Sequence, residues 1–227
     1  PRTSRQEILQ KLQKKLDAHV PIMISSAGSG LVAKLLEQAG VDCINTFCGA
    51  RLRANGWGTM SMMWPNIDSN KQTLDYTQQD ILPAIKGDAF ICACLNPNDP
   101  LRDMRAVLQD LKNMGVESAS NIGPSVSYVD KDSNLYKVLR QSGITFEEEV
   151  EMLKLTKEMD MVSVGLAFDM EDSIQMIEGA APDIFCFHAG TTKGGMRGYD
   201  TGETIKETAE RTEEVYARVR EINPETI

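Results

Sequence analysis

Near the start of the chain the apolar positions Ile8, Leu12 and Leu16 fall four apart, behind Ser4-Arg5-Gln6-Glu7, the spacing of a capping box that opens an amphipathic helix. Residues 1–20 are therefore read as an N-terminal helix; a transit peptide is the competing reading, and Glu7 and Asp17 count against it. From residue 21 onward one unit recurs: a helix-period stretch, a Gly or acidic stop, a short run apolar on both faces, and a polar residue opening a Gly- or Pro-containing loop. The runs are Ile22–Ile24, Cys43–Thr46, Ala89–Leu95, Ser118–Asn121, Met161–Phe168 and Ile184–His188. Gly40-Val41-Asp42, Gly87-Asp88, Gly115-Val116-Glu117 and Pro182-Asp183 supply the stops. Glycine past a helix end takes the left-handed conformation that terminates it, and runs apolar on both faces suit parallel strands covered by helices.

Helical spacing fills the gaps. Leu31, Leu35 and Leu36 follow Gly30, and Leu101, Met104, Leu108 and Leu111 follow Asp99 as N-cap and Pro100 at the first helical position. Further helices are expected from Phe146, with Val150, Leu153 and Met159 on the apolar side, from Met170 through Ile177, and from Thr204 to Glu221. The longest spacings follow the second and fourth strands, so the surplus chain lies at strand C-terminal ends, where α/β folds build their sites. Asn223–Ile227 reads as a helix stop and the first residues of another strand. An open parallel sheet would leave its edges unpaired. The expectation is an α/β fold, one TIM (β/α)8 barrel domain over residues 21–227 with about six βα units present, and more chain beyond Ile227.

Charge narrows the partners. With 24 Lys+Arg against 33 Asp+Glu the net charge is −9, and no basic footprint for nucleic acid is present. No apolar run approaches the roughly 18–20 residues of a membrane span, and the N-terminus lacks the order of a signal peptide. Five cysteines inside mostly apolar segments suit reduced thiols and a cytoplasmic location. Cys92-x-Cys94 is weak as a metal motif without further Cys or His pairs. Met60, Met62 and Met63 beside Trp64 and Pro65 read as adaptable packing or a homo-oligomer contact.

The chemistry-bearing residues sit after strand ends. Gly28 and Gly30 let backbone N–H groups approach an anion at a helix N-terminus, or simply make a tight βα turn. The pattern is neither a phosphate loop nor a dinucleotide fingerprint, so no nucleotide cofactor is expected. Asn45 leads into a glycine-rich loop whose Arg51 and Arg53 could clamp a planar oxyanion; a structural salt bridge is the alternative, favoured for Arg53. Asn121 closes the fourth strand. His188, one of two histidines, precedes Thr191 and Thr192 and could be general acid, base, metal ligand or a hydrogen-bonded core residue, whereas His19 is read as structural. Glu147, Glu148, Glu149 and Glu151 crowd a helix start, where negative charge is favoured, and one of them could turn inward.

Taken together, Ala27-Gly28-Ser29-Gly30-Leu31 with Ala33-Lys34, the Gly49 to Gly58 loop with Arg51, Glu149-Val150-Glu151-Met152, and His188-x-Gly190 with Thr191-Thr192 resemble the phosphoenolpyruvate hydrolase-like family, also called the TIM-barrel signal-transduction family. The chain departs from that family's Asn-Ser-Gly-Arg after strand two, carrying Phe47-Cys48-Gly49-Ala50-Arg51. The family is similar in fold to the phosphoenolpyruvate mutase and isocitrate lyase barrels. The resemblance implies a site at the barrel mouth for a small phosphorylated or carboxylated keto or enol acid, with hydrolase or lyase chemistry. It further implies Mg2+ as cofactor, Glu149 and His188 as catalytic residues, and Gly28, Gly30, Asn45, Arg51, Asn121, Thr191 and Thr192 as substrate contacts. A non-catalytic barrel that senses a metabolite or docks a protein in signalling is the alternative.

Overall fold

Six parallel strands pair strictly with their sequence neighbours, in the order β1-β2-β3-β4-β5-β6. The computed structural model describes residues 2–64, 67–190 and 203–227. The chain opens with α1 (Arg5–Asp17), β1 (Ile24–Ser26), α2 (Gly30–Gln38), β2 (Cys43–Thr46) and α3 (Cys48–Ala54). After a 3-10 turn (Thr59–Met63), α4 (Ser69–Tyr76), a π-helical turn (Thr77–Ile81) and α5 (Leu82–Ala84) run on without a break, and a short loop leads to β3 (Phe90–Cys94). Then come α6 (Met104–Met114), β4 (Ser118–Ser120), α7 (Asn134–Gln141) and α8 (Phe146–Glu158). The rest is β5 (Val162–Ala167), α9 (Met170–Ala180), β6 (Ile184–Phe187) and α10 (Ile205–Ile222).

The register separates two faces. Ile44, Ile91, Ala119 and Phe185 face outward onto the helices, in one core with Leu108, Leu111, Phe146 and Leu153. Cys43, Phe90, Cys92, Cys94, Val162, Val164 and Ile184 share the inner face. Burying each large apolar side chain stabilises the fold by about 1.5–3 kcal/mol, so these two layers dominate its energetics. The cysteines are free thiols, and burial pushes those of Cys43 and Cys94 up, which keeps them protonated packing groups.

Helix α1 closes the N-terminal end of the sheet. Its capping box forms as the Ser4 and Glu7 spacing predicts, and Ile8 and Leu12 join the inner-face core. Three cations of this segment meet acids that directly precede alternate strands: Lys15 reaches Asp42 at 2.5 Å, Arg2 reaches Glu117 at 3.1 Å and Arg5 reaches Asp183 at 2.5 Å. Each acid also accepts a backbone N–H from the neighbouring strand or the residue that leads into it, from Met23 just before β1, from Ile91 and from Ser163 respectively. The acids of the stop signals therefore register one strand against the next.

Three details differ from the pattern reading. Asp99 does not cap a helix: it accepts from Leu101 N, Arg102 and Asn70, while α6 begins at Met104 behind Asp103. Leu101 is 74% exposed, so no burial draws the helix back to Pro100. On α2 the inward residues are Ala33 and Leu36; Leu31 and Leu35 face outward, because the helix flanks the edge strand β1 and packs against α5 and the π-turn on one side. Arg53 finds no carboxylate among the described residues; it donates to Thr59 Oγ1 at 2.8 Å and lies over the Phe47 ring. At the other edge Ile227 donates to Asp183 O at 3.0 Å and accepts from Phe185 N at 2.8 Å, the two bonds of a parallel partner opposite Ile184.

Candidate functional site

Parallel topology brings the C-terminal ends of all six strands to one face, so Asn45, Asn121 and His188 reach the same end of the sheet. Their side chains fall into separate groups, and among the described residues no hydrogen bond joins one group to another.

The first group lies between β1 and β2. Arg51, on α3, uses Nη1 twice, donating to Gly28 O at 3.2 Å and pairing with Asp80 at 2.9 Å. Asp80 sits on the π-turn, an insertion in the helical rod of the kind often found at functional sites. A Cβ at Gly28 would overlap the Ala50 carbonyl, and one at Gly30 would overlap the Asp80 carbonyl. Both glycines thus let α3 and the π-turn press onto the β1–α2 turn. Ser29 caps α2 by accepting from Val32 N.

The second group is sealed. Asn121 Nδ2 donates to Glu149 at 2.6 Å and to Leu166 O at 2.8 Å. Ser125 Oγ and Val126 N also donate to the Glu149 carboxyl, at 2.8 and 2.7 Å. Glu149 is fully buried while Glu147, Glu148 and Glu151 stay exposed, because only Glu149 faces the β4 and β5 ends. Burial pushes its pKa up to about 8 against the opposing effect of these donors.

The third group surrounds His188, which is exposed. Its ring packs on Phe168 with centroids 4.8 Å apart, and Phe168 in turn meets Tyr128 edge-on. Desolvation there lowers the His188 pKa. Gly190 N donates to His188 Nδ1 at 3.0 Å, so the neutral ring carries its proton on Nε2. His188 is therefore held as a hydrogen-bond donor rather than a base. Thr191 and Thr192 lie outside the described residues.

Asn45 stands on the inner face of β2 and is nearly buried. Its Oδ1 accepts from Cys43 Sγ at 3.5 Å, whereas its Nδ2 has no hydrogen-bond partner among the described residues. Two further asparagines escaped the sequence reading. Asn70 donates to Asn96 O and accepts from Asn96 N; Asn98 does the same with Thr145. Only Asn98 carries a local sign, an Asn in a Pro-containing turn; Asn70 lies in a helical stretch and carries none.

Magnesium needs a set of oxygen ligands. Among the described residues no three His, Cys, Asp or Glu side chains converge as a metal site. Among the described residues the carboxylates near the mouth pair with cations or donors: Asp80 with Arg51, Asp99 with Arg102, Asp169 and Asp172 with Lys131, and Glu149 with its own cage; of their buried oxygens only Asp172 Oδ2 is left without a partner, and one oxygen is no ligand set. A protein-built magnesium cage does not fit these residues.

The chain is 30% identical over 220 residues to the ToMV susceptible protein tm-1(GCR26) of Solanum lycopersicum, covering 97% of this chain and 28% of that protein. It thus spans less than a third of that relative's length. Phosphoenolpyruvate phosphomutase from Streptomyces platensis subsp. rosaceus superposes with a TM-score of 0.54 at 15% identity, over 81% of this chain and 64% of that one. Phosphonopyruvate hydrolase complexed with oxalate and Mg2+ gives 0.54 at 17% identity, over 84% and 65%. These neighbours support a TIM-barrel fold of which the six-stranded curled sheet forms the greater part. The family described as phosphoenolpyruvate hydrolase-like matches residues 7–227, and the chain belongs to it.

Proposed function

We propose that the C-terminal end of the sheet binds a small phosphorylated or carboxylated keto or enol acid, and that Asn45 and His188 are its principal contacts. The observation that carries this reading is the pair of side-chain N–H donors at strand ends, Asn45 Nδ2 and His188 Nε2, that have no hydrogen-bond partner among the described residues. Donors fixed in place can hold an acid's oxygens and stabilise negative charge that develops on an enolate oxygen. Hydrolase or lyase chemistry on an enol acid needs such stabilisation. Asn121 and Glu149 enter as positioning residues that hold the β4 and β5 ends, and Gly28, Gly30 and Arg51 as the frame beneath the β1 and β2 loops. Thr191 and Thr192 follow His188 in the chain and complete the candidate contacts. Mg2+ belongs to the reading as a companion of the acid, held by ligand oxygens and water, since this hard ion usually retains several waters.

Metabolite sensing is the second reading. Glu149, a buried carboxyl whose pKa burial raises to about 8, is closed off from the mouth, so among the described residues His188 has no hydrogen-bonded proton-transfer partner. Titrating the full-length protein with oxalate and assaying pyruvate release from phosphoenolpyruvate, with and without magnesium, separates the two. Binding plus release supports the enzyme; binding alone supports the sensor. For the enzyme, His188→Ala should lower turnover about 100-fold and Asn45→Ala should weaken oxalate binding about tenfold. If neither acid binds, both readings fail.

A further inference from the structure

The cleft between α3 and the rod of α4 and the π-turn has a volume of about 440 Å3, and none of Asn45, Asn121, Glu149 or His188 lines it. Its walls carry two cations, Arg51 and Lys71, and three carboxylates, Asp68, Asp75 and Asp80. The pairs Arg51–Asp80 and Lys71–Asp75 leave Asp68, which Arg102 holds from outside the cleft lining. Two features of these walls are incomplete. Arg51 commits only Nη1, to Asp80 and Gly28 O; its Nε and Nη2 have no hydrogen-bond partner among the described residues, and its side chain is 33% exposed. This free edge is the planar fork that matches a carboxylate. In the same cleft Gln72 Oε1 is buried and accepts no hydrogen bond. An orphaned buried acceptor is costly, and native structures usually supply it with a donor.

We propose that this cleft is a binding site for a small zwitterion, an α-amino acid, whose carboxylate takes the free edge of Arg51 and whose ammonium donates to Gln72 Oε1 and the carboxylates beside it. The charge pattern selects this class. A simple dianion would meet three carboxylates across the cleft, and a simple amine would leave the Arg51 fork empty. A ligand with both groups satisfies both walls, and the volume lies in the range of about 300–1,000 Å3 usual for small-molecule pockets. The site shares Arg51 with the frame of the acid site proposed at the strand ends but none of that site's ligand contacts, and it does not depend on that reading.

The test is calorimetric titration of the full-length protein with each of the common α-amino acids. For each amino acid that binds, the corresponding 2-keto acid and the corresponding decarboxylated amine are titrated as controls. At least one amino acid is expected to bind in the micromolar to millimolar range, about tenfold or more tightly than both of its controls. Gln72→Leu removes the orphaned acceptor, and Asp75→Asn removes one carboxylate from an exposed ion pair. Each should weaken that amino acid about tenfold while the melting temperature stays close to the parent's. Absence of binding by every amino acid overturns the proposal. So does equal binding of a control compound, or unchanged affinity in both well-folded variants.

Discussion

Asn121 meets Leu166 as one peptide group meets another: its Nδ2 donates to Leu166 O at 2.8 Å and its Oδ1 accepts from Leu166 N at 2.8 Å. The side chain at the end of β4 thus completes the hydrogen bonding of β5 where the ladder stops. It does so with no exposed surface, so the groups it satisfies have no water to fall back on. Asn70 and Asn98 repeat the device on the neighbouring loops.

Asn121→Ala should therefore destabilise the protein by about 3–5 kcal/mol, since it strands the Leu166 peptide groups and one donor to Glu149 in a buried site. Urea denaturation midpoints at constant slope measure the loss. A cost below about 1 kcal/mol would mean that water replaces the carboxamide.

Glu149 makes stability depend on pH in the direction opposite to a salt-bridged carboxylate. Its folded pKa of about 8 exceeds the ordinary 4.5, so the folded state holds a proton that the unfolded chain releases. The contribution is complete below about pH 4.5 and is lost as pH rises to about 8, with a slope of at most about 1.4 kcal/mol per pH unit. Glu149→Gln should flatten that part of a stability profile measured between pH 5 and 9. A parent profile that rises across this window would contradict the buried, protonated carboxyl.

At the opposite end, Asp183 accepts from Arg5 Nε and Nη2 and from Ser163 N and Oγ. Asp183→Ala should cost about 2–4 kcal/mol, because it unpairs a strand N–H together with a partly buried guanidinium. Hydrogen exchange should speed first in α1, whose tether it removes. Uniform exchange across the chain would place the acid's effect elsewhere.

Gly28→Ala tests the packing of the β1–α2 turn. The added methyl group would overlap the carbonyl of Ala50, which belongs to backbone and cannot rotate away. A loss of about 1–3 kcal/mol is expected, as for other overpacked sites. Thermal unfolding reads it directly, and a neutral result would show that α3 can shift.

The amino-acid sequence by itself determined what depends on residues a few positions apart. Capping at Ser4 and Glu7, and again at Thr204 and Glu207, closes within one helical turn, so both helix starts were legible. The apolar runs marked all six strands to within two residues, and their two-faced apolarity marked the sheet as parallel. The family was legible for the same reason, because its signature is a set of short motifs in order. Tertiary structure decided which of the polar residues meet. Arg51 and Asp80 stand 29 positions apart, Asn121 and Leu166 45, and Arg2 and Glu117 115. Such pairs are set by strand register and by the path of the loops, and no local pattern carries either. That is why the five residues placed in one mouth by position separate into a framework strut at Arg51, a sealed bracket at Asn121 and Glu149, and two donors, at Asn45 and His188, with no partner among the described residues.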